Sequence, residues 1–290
     1  MSAYYSNLAM VTSAVLYLLA LVFHCVEWAL ARGSSAIERS SREEFFGRIG
    51  LSVTLAAAAV HVFAVVMRGI AAGRPPWGNM YEFITSSLAM AIVIYLVLVF
   101  ALGMRWLGLP VTLLASVGQG LAVTVFYVDV SPLMPALHSV WFVIHIVAAA
   151  LSGAAFSIGG IAALLYLVKA RDERRAEPSK GYLKRLPTAV AIDRISYRFH
   201  VFAFPLWTFT IAAGAIWAQF AWGRFWGWDP KETWALVTWI VYVAYLHARA
   251  TAGWKGTRAA VLAVVGLFTF WFNFIGVNLL FSGLHSYAGI

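Results

Sequence analysis

A tryptophan-rich segment at residues 222–234 holds the residues whose types and spacing best suit ligand chemistry. It reads Trp-Gly-Arg-Phe-Trp-Gly-Trp-Asp-Pro-Lys-Glu-Thr-Trp and lies between two long apolar runs. Tryptophan is common where proteins meet the membrane surface, but that preference does not explain four indoles in thirteen residues, interleaved with Gly223 and Gly227. We predict a flat platform for a large planar ligand, with heme the leading candidate. The expected contacts are Trp222, Trp226, Trp228 and Trp234.

The Asp229-Pro-Lys-Glu232 stretch within this segment predicts the start of a helix. Aspartate is a favoured N-cap, proline fits the first helical position, and glutamate three residues later completes a capping box. Such a cap would hold the indoles still against the helix that follows. The carboxylate of Asp229 remains a candidate contact for the edge of the ligand.

The composition indicates a polytopic membrane protein of the all-α class. The 290 residues are 62% hydrophobic and 11% charged, and the mean hydropathy is +0.81, whereas soluble domains carry about 25% charged residues. A single cysteine, Cys25, excludes a disulfide framework, a CxxC thiol pair and a metal site built on cysteines. No sequence repeat is evident.

A helix that crosses a bilayer needs about 20 mostly apolar residues. We predict eight such helices within one transmembrane domain over residues 1–290. The apolar stretches are 9–31, 48–70, 82–103, 110–128, 139–169, 199–219, 231–249 and 258–281.

The basic residues predict how these helices are oriented, because cytoplasmic loops carry an excess of Lys and Arg. Of the 21 Lys and Arg, 17 fall in loops on one side, and the longest of these basic loops is 170–198. Both termini are therefore expected outside, as is the tryptophan-rich segment between helices six and seven. The net charge of +9 is explained as a topology signal, so no nucleic-acid partner is expected.

Seven histidines are candidate metal ligands, and histidine is a common axial ligand of heme iron. Ionisable side chains inside a bilayer are rare and usually functional, although a single histidine can also serve only to hydrogen-bond a neighbouring helix. Three of the seven lie near the predicted outer face, beside the tryptophan-rich segment. Spacing alone does not decide whether His138 or His145 would pair with His285 across the iron.

Four segments resemble those of a known family. Residues 222–236 resemble its tryptophan-rich WWD signature, and residues 75–82 resemble its Pro-x-x-Asn-x-Tyr-Glu segment. Residues 137–145 resemble its Leu-x-Ser-x-Trp-x-x-x-His segment, and residues 276–287 resemble its C-terminal Gly-Val-Asn-Leu-Leu…Gly-Leu-His-Ser-Tyr. On these motifs, which together cover residues 69–290, the chain resembles the heme-handling CcsA/ResC-type subunit (CcsB in some naming) of the System II cytochrome c synthase.

The resemblance implies a set of iron ligands. The two external ligands of the family fall on His145 and His285, which leaves His138 as a neighbour. The membrane-embedded ligand of the family falls on His247, and its partner would come from a separate ResB-like protein or from His24.

Two of the other histidines and two arginines have predicted roles outside the set of iron ligands. His61 and His200 match no motif and are expected to serve packing. Arg74 and Arg224 are candidates for pairing with the heme propionates, because both lie on the predicted outer side.

The implied function is cytochrome c biogenesis at the cell membrane. The chain would bind heme b, move it across the membrane and present it on the outer face. There it would act as a holocytochrome c synthase (heme lyase) subunit, joining heme to the CxxCH motif of apocytochrome c together with the ResB-like partner. A thioredoxin-like thiol reductant is a further expected partner. The alternatives are heme delivery or export without synthase activity, and electron transfer by a bis-histidine heme.

Overall fold

The computed structural model describes residues 1–31, 40–175 and 181–285, and within these ranges it contains helices and no strands. Two short 3-10 turns, at Arg105–Leu107 and Pro135–Leu137, and a π-helical segment at Phe272–Gly276 interrupt the α-helices. The α-helices are α1 (Ser2–Ala31), α2 (Ser41–Ala72), α3 (Met80–Leu102), α4 (Gly108–Thr124), α5 (Val140–Asp172), α6 (Tyr182–Arg185), α7 (Ala189–Trp222), α8 (Pro230–Ala250), α9 (Thr257–Trp271) and α10 (Val277–Leu280).

The prediction of a polytopic all-α membrane protein is confirmed. Seven helical stretches of the described chain are long and apolar enough to cross a membrane. The predicted span 231–249 is indeed a helix, α8, but it is not among those seven. It is rich in Trp and Tyr and carries Lys231, Glu232 and Arg249 near its ends. The total of eight spans therefore stays a prediction.

Helix α1 shows how the surface of the chain differs from that of a soluble protein. Its exposed side chains include Leu8, Val15 and Leu18, all more than half exposed. Its buried face is lined by small or polar residues, among them Ser6 and Ser13. Small residues facing neighbouring helices and apolar residues facing outward are the pattern expected of helices packed within lipid.

Helices α2 and α7 begin well before the apolar runs that predicted them. The runs start at residues 48 and 199, whereas the helices start at Ser41 and Ala189. Each begins after a side-chain cap, from Ser40 to the N–H of Glu43 at 3.2 Å and from Thr188 to the N–H of Ala191 at 3.3 Å. Hydropathy detects only the apolar part of a helix, whereas its start depends on the cap.

The chain forms two compact units. The first comprises residues 1–131 and 171–187, and the second comprises residues 132–170 and 188–290. Helices α1 to α4 and α6 belong to the first unit, and helices α5 and α7 to α10 belong almost wholly to the second.

In the first unit, α1 and α2 are held together by polar side chains buried between them. The Ser6 hydroxyl donates to the Ala64 carbonyl at 2.8 Å, and Tyr17 Oη lies 3.2 Å from His61 Nδ1. This contact accounts for His61 as a packing residue.

In the second unit, aromatic rings form the centre of the core. Phe156 stacks on Tyr242 with their ring centroids 3.8 Å apart, and Trp207 and Phe270 pack against them. His200 is fully buried beside Tyr242 and donates from Nδ1 to the Ser196 carbonyl at 2.7 Å. His200 therefore also has the contacts of a packing residue.

The connections α2–α3 and α7–α8 are built alike, although no repeat is evident in the sequence. In each, a glycine with positive φ ends the first helix and an arginine follows it. An Asn or Asp then caps the second helix, whose third residue is a glutamate that binds the arginine. The counterparts, 150 positions apart, are Gly73 and Gly223, Arg74 and Arg224, Asn79 and Asp229, and Glu82 and Glu232.

Gly50 in α2 allows the close approach of His24 from α1. A larger residue at this position should destabilise the first unit. A Cβ at Gly50 would lie 2.9 Å from Cε1 of His24, whereas nothing lies within 4 Å of a Cβ at Gly120 in α4. Overpacking costs about 1–3 kcal/mol, so Gly50→Ala should lower the thermal midpoint of the detergent-purified protein. Gly120→Ala is the matched control and should be neutral or stabilising by about 1 kcal/mol. Equal midpoints for the two variants would contradict the close approach.

Candidate functional site

The predicted cap at the start of α8 is confirmed. Asp229 is the N-cap and its carboxylate accepts the backbone N–H of Lys231 at 3.0 Å. Pro230 occupies the first turn, and the Glu232 carboxylate accepts the backbone N–H of Asp229 at 3.1 Å. Trp228, just before the cap, has a φ of 59°, a left-handed conformation that a bulky residue rarely adopts. The cap thus rigidly fixes the end of the tryptophan-rich segment.

His285 is held by this same cap residue. Its Nδ1 lies 2.8 Å from Oδ1 of Asp229, and Oδ2 accepts the backbone N–H of Leu284 at 2.7 Å. Burial by itself would raise the pKa of the Asp229 carboxyl, but the hydrogen bond and electrostatic attraction of His285, together with the backbone hydrogen bonds from Leu284 and Lys231, outweigh it and lower the pKa to about 2. The carboxylate is therefore ionised and can only accept, so Nδ1 of His285 carries a hydrogen. In the neutral imidazole, the form that can bind a metal, the lone pair is then on Nε2.

His145 on α5 is fixed in the same tautomer by a different partner. Its Nδ1 lies 2.9 Å from the carbonyl oxygen of Thr210 on α7. A carbonyl cannot donate, so Nδ1 must carry the hydrogen and Nε2 the lone pair. Gly214 makes room for the ring, because a Cβ there would lie 2.7 Å from Nδ1 of His145.

Trp217 joins the two histidines, and sequence reasoning did not single it out. Its ring stacks on the His145 ring with centroids 5.8 Å apart and meets the His285 ring edge-on at 5.7 Å. The indole is 2% exposed and donates its N–H to the Ala136 carbonyl at 2.8 Å. The one available signal was Gly214, one turn earlier in α7, since an isolated glycine inside a helix often marks close packing.

The four predicted tryptophans occupy different environments. Trp222 lies against His285 with centroids 5.0 Å apart and against Trp217 at 4.8 Å. Trp226 and Trp228 meet each other edge-on at 5.8 Å, and Trp228 is 67% exposed. Trp234 lies within α8 and packs on Phe272 at 4.3 Å. Only Trp222 of the four therefore has a ring contact with a predicted iron ligand in the structure.

The two arginines proposed for the propionates each hold a carboxylate. Arg224 donates to Glu232 at 3.0 Å, and Arg74 donates to Glu82 at 2.7 Å. The side chain of Arg224 is 30% exposed and that of Arg74 is 11% exposed. The guanidinium of Arg224 also fills the space beside Gly227, where a Cβ would lie 2.0 Å from it. The absence of a side chain at Gly227 therefore leaves room for the guanidinium of Arg224.

The remaining histidines have other environments. His247 is exposed near the end of α8, and His138 is exposed after the turn at Pro135–Leu137. His24 lies in the first unit, buried, with its Nδ1 3.2 Å from Oε2 of Glu27. His145 and His285 therefore both contact the Trp217 ring, whereas His247 is an exposed residue near the end of α8.

The chemistry of this cluster suits a planar metal complex. Within the described residues, no group of three or more His, Cys, Asp or Glu could enclose a metal ion. His145 and His285 instead offer two imidazoles whose Nε2 atoms are available to a metal. Their Nδ1 atoms donate to Thr210 and Asp229, which orient the rings. The indoles of Trp217 and Trp222 lie beside them. Two imidazole nitrogens beside aromatic rings are a donor set that would fit an iron porphyrin.

The fold and this cluster define a polytopic helical membrane protein with a histidine and tryptophan site. A family model described as cytochrome C assembly protein matches residues 9–285. The match begins 60 residues before the range 69–290 that the sequence motifs cover. The chain belongs to this family, and within it to the CcsA type of cytochrome c biogenesis proteins.

Several curated relatives support this assignment. The cytochrome c biogenesis protein CcsA of Synechococcus sp. (strain JA-3-3Ab) is 34% identical, over 83% of this chain and 84% of the relative. The protein of the same name from Guillardia theta is 36% identical, over 83% of this chain and 85% of the relative. That of Chlamydomonas reinhardtii is 36% identical, over 78% of this chain and 65% of the relative.

A solved structure shares the fold. The cytochrome c heme lyase CcmF superposes with a TM-score of 0.71 over 98% of this chain at 15% sequence identity. The chain spans 48% of that protein. At this identity the likeness concerns the helical architecture alone.

Proposed function

We propose that this chain binds heme b between His145 and His285 and presents it for covalent attachment to apocytochrome c. The observation that carries the proposal is the shared geometry of the two histidines. Each has its hydrogen on Nδ1 and its lone pair on Nε2, and each ring contacts Trp217. An axial ligand of iron needs this tautomer, held by a second-shell acceptor.

The attachment chemistry needs positioning more than acid–base groups from this chain. Each thiol of the CxxCH motif adds across one vinyl group, so that sulfur bonds one carbon, its hydrogen goes to the other, and no net oxidation occurs. The nucleophiles belong to the apocytochrome. Holding the porphyrin still beside the incoming peptide is therefore the contribution we assign to His145, His285 and the indoles of Trp222, Trp226, Trp228 and Trp234. We assign the propionates to Arg224, whose guanidinium is the more exposed of the two candidates.

A second heme position is proposed at His247, near the inner face of the membrane. Its side chain is exposed on the second unit, so its iron would take the opposite ligand from another protein. A ResB-like membrane partner is the proposed source, and synthase activity would then depend on that partner. Heme would pass from His247 to the site at His145 and His285. A thioredoxin-like reductant would keep the apocytochrome thiols reduced.

The proposed topology places this chemistry on the outer face of the cell membrane. It has eight spans and both termini outside. Helix α8 is the span between the tryptophan-rich segment and the predicted inner connection that carries Arg249, Lys255 and Arg258. The support is the distribution of Lys and Arg, 17 of 21 on the predicted inner side.

The test is the absorption spectrum of the purified chain, followed by incubation with apocytochrome c and a ResB-like protein. We expect a six-coordinate heme spectrum and heme-stained apocytochrome only when the partner is present. Bound heme with no covalent product in the complete mixture would favour the delivery or export alternative. Purified protein without heme absorbance would contradict the proposal.

A further inference from the structure

The start of α8 holds the part of the chain that carries His285. Two of its side chains reach residues 274–285, which we call the C-terminal segment. Lys231 Nζ donates to the Phe274 carbonyl at 3.2 Å and to Oδ1 of Asn278 at 2.7 Å. The Phe274 carbonyl lies in the π-helical segment Phe272–Gly276, and such segments often occur at functional sites. Lys231 therefore fixes the beginning of the C-terminal segment.

Asp229 fixes the other end of this segment. Its Oδ2 accepts the N–H of Leu284 at 2.7 Å, and its Oδ1 accepts Nδ1–H of His285 at 2.8 Å. Gly283 permits this approach, because a Cβ there would lie 2.5 Å from Oδ2 of Asp229. Two side chains that are two residues apart in sequence thus hold both ends of the segment.

The two candidate iron ligands differ in the charge of the group that accepts the hydrogen bond from Nδ1. His145 donates to the neutral carbonyl of Thr210, whereas His285 donates to the carboxylate of Asp229. A carboxylate partner raises the basicity of a coordinating imidazole more than a neutral acceptor does, and this strengthens its bond to oxidised iron. The two sides of the site are therefore electronically unequal.

We propose that Asp229 and Lys231 act as positioning residues that clamp the C-terminal segment, and that Asp229 makes His285 the more strongly donating ligand. The inference rests on the proposed function at His145 and His285. It assigns the Asp-Pro-Lys-Glu turn a role in setting the orientation and donor strength of His285, without contact between these side chains and heme.

The test replaces Asp229 with asparagine, which is an equally good N-cap and so keeps the start of α8. Asparagine is neutral and has an NH2 group in place of one oxygen, so it cannot reproduce the present arrangement, in which one oxygen accepts from His285 and the other from Leu284. We expect Asp229→Asn to weaken hemin binding about 10–100-fold and to raise the reduction potential of the bound heme. A tenfold larger loss for ferric than for ferrous heme corresponds to about 59 mV in a one-electron couple.

Two further variants separate this role from general destabilisation. Thr188→Ala removes the cap of α7 and should lower stability by about 1 kcal/mol without moving the potential. Gly283→Ala keeps the carboxylate but displaces the turn from it, so it should shift the potential in the same direction as Asp229→Asn. An unchanged potential and unchanged hemin affinity in both Asp229→Asn and Gly283→Ala would overturn the inference.

A measurement on heme-free protein keeps the inference distinct from the proposed function. Hydrogen–deuterium exchange of residues 274–285 should be faster in Asp229→Asn and in Lys231→Met than in the wild type, and unchanged in Thr188→Ala. Faster exchange in a protein that never binds heme would support the clamp while the proposed function fails. Unchanged exchange in both clamp variants would contradict the clamp even if the wild type binds heme.

Discussion

Replacing either His145 or His285 with alanine is expected to abolish six-coordinate heme in the purified protein. Each histidine donates from Nδ1, which leaves Nε2 for the iron, and neither can substitute for the other, because each is held by its own acceptor, Thr210 or Asp229. Changes in the second shell of a metal site cost about 10–100-fold in affinity. Loss of the ligand itself should therefore cost about 100-fold or more, measured by hemin titration and by the absorption spectrum.

The matched control for these variants is His138→Ala. His138 lies seven residues before His145 in the sequence but is exposed, and it should leave the spectrum unchanged. Added imidazole should restore six-coordinate iron in His145→Ala and His285→Ala by binding where the side chain was removed. A six-coordinate spectrum retained in both variants without imidazole would disprove the proposed ligand pair.

Glu82→Gln should be the most destabilising single substitution in the first unit. Glu82 is fully buried and accepts from Arg68 at 2.9 Å and from Arg74 at 2.7 Å. Removing its charge leaves two guanidinium groups, 1% and 11% exposed, without their shared counter-charge. Breaking a buried ion pair in this way costs about 3–5 kcal/mol. Thermal unfolding in detergent and the amount of protein recovered from membranes would measure the loss.

The equivalent residue in the second unit provides the control. Glu232→Gln removes the charge that Arg224 binds, but the Arg224 side chain is 30% exposed, so water can solvate the cation that is left. Its thermal midpoint should therefore fall less than that of Glu82→Gln. The double variant Arg74→Gln/Glu82→Gln should recover part of the loss, because one stranded cation is removed. Equal thermal midpoints for Glu82→Gln and Glu232→Gln would contradict the expectation that the burial of Arg68 and Arg74 increases the loss of stability.

The positions of the helices followed from the sequence because apolar length is a local property. Each of the eight predicted stretches coincides with a helix, although 110–128 runs past the end of α4 at Thr124. The cap at Asp229 was predicted correctly from four consecutive residues. The starts of α2 and α7 were missed by about two to three turns, since these helices extend through polar sequence from caps at Ser40 and Thr188. The π-helical segment Phe272–Gly276 had no sequence signal that we recognised.

The duplication of the α2–α3 and α7–α8 connections was also invisible in the sequence. Only glycine, arginine and glutamate are identical between the two, at Gly73, Arg74 and Glu82 and their counterparts, and the intervening residues differ. The likeness emerges once positive φ angles, caps and ion pairs are compared. It explains why Arg74 and Arg224, which the sequence suggested for an external ligand, each have an internal carboxylate.

The sequence by itself determined the class of the protein, its helices and the candidate residues for heme binding. Composition and hydropathy gave the membrane fold, and the motifs around His145 and His285 gave the candidate ligands. Only the tertiary structure decided which nitrogen of each histidine donates a hydrogen bond and that Trp217 contacts both rings. The physical reason is distance along the chain: the acceptors that fix these rings, Thr210 and Asp229, are 65 and 56 residues away from them. Helix packing alone brings such groups within hydrogen-bonding range.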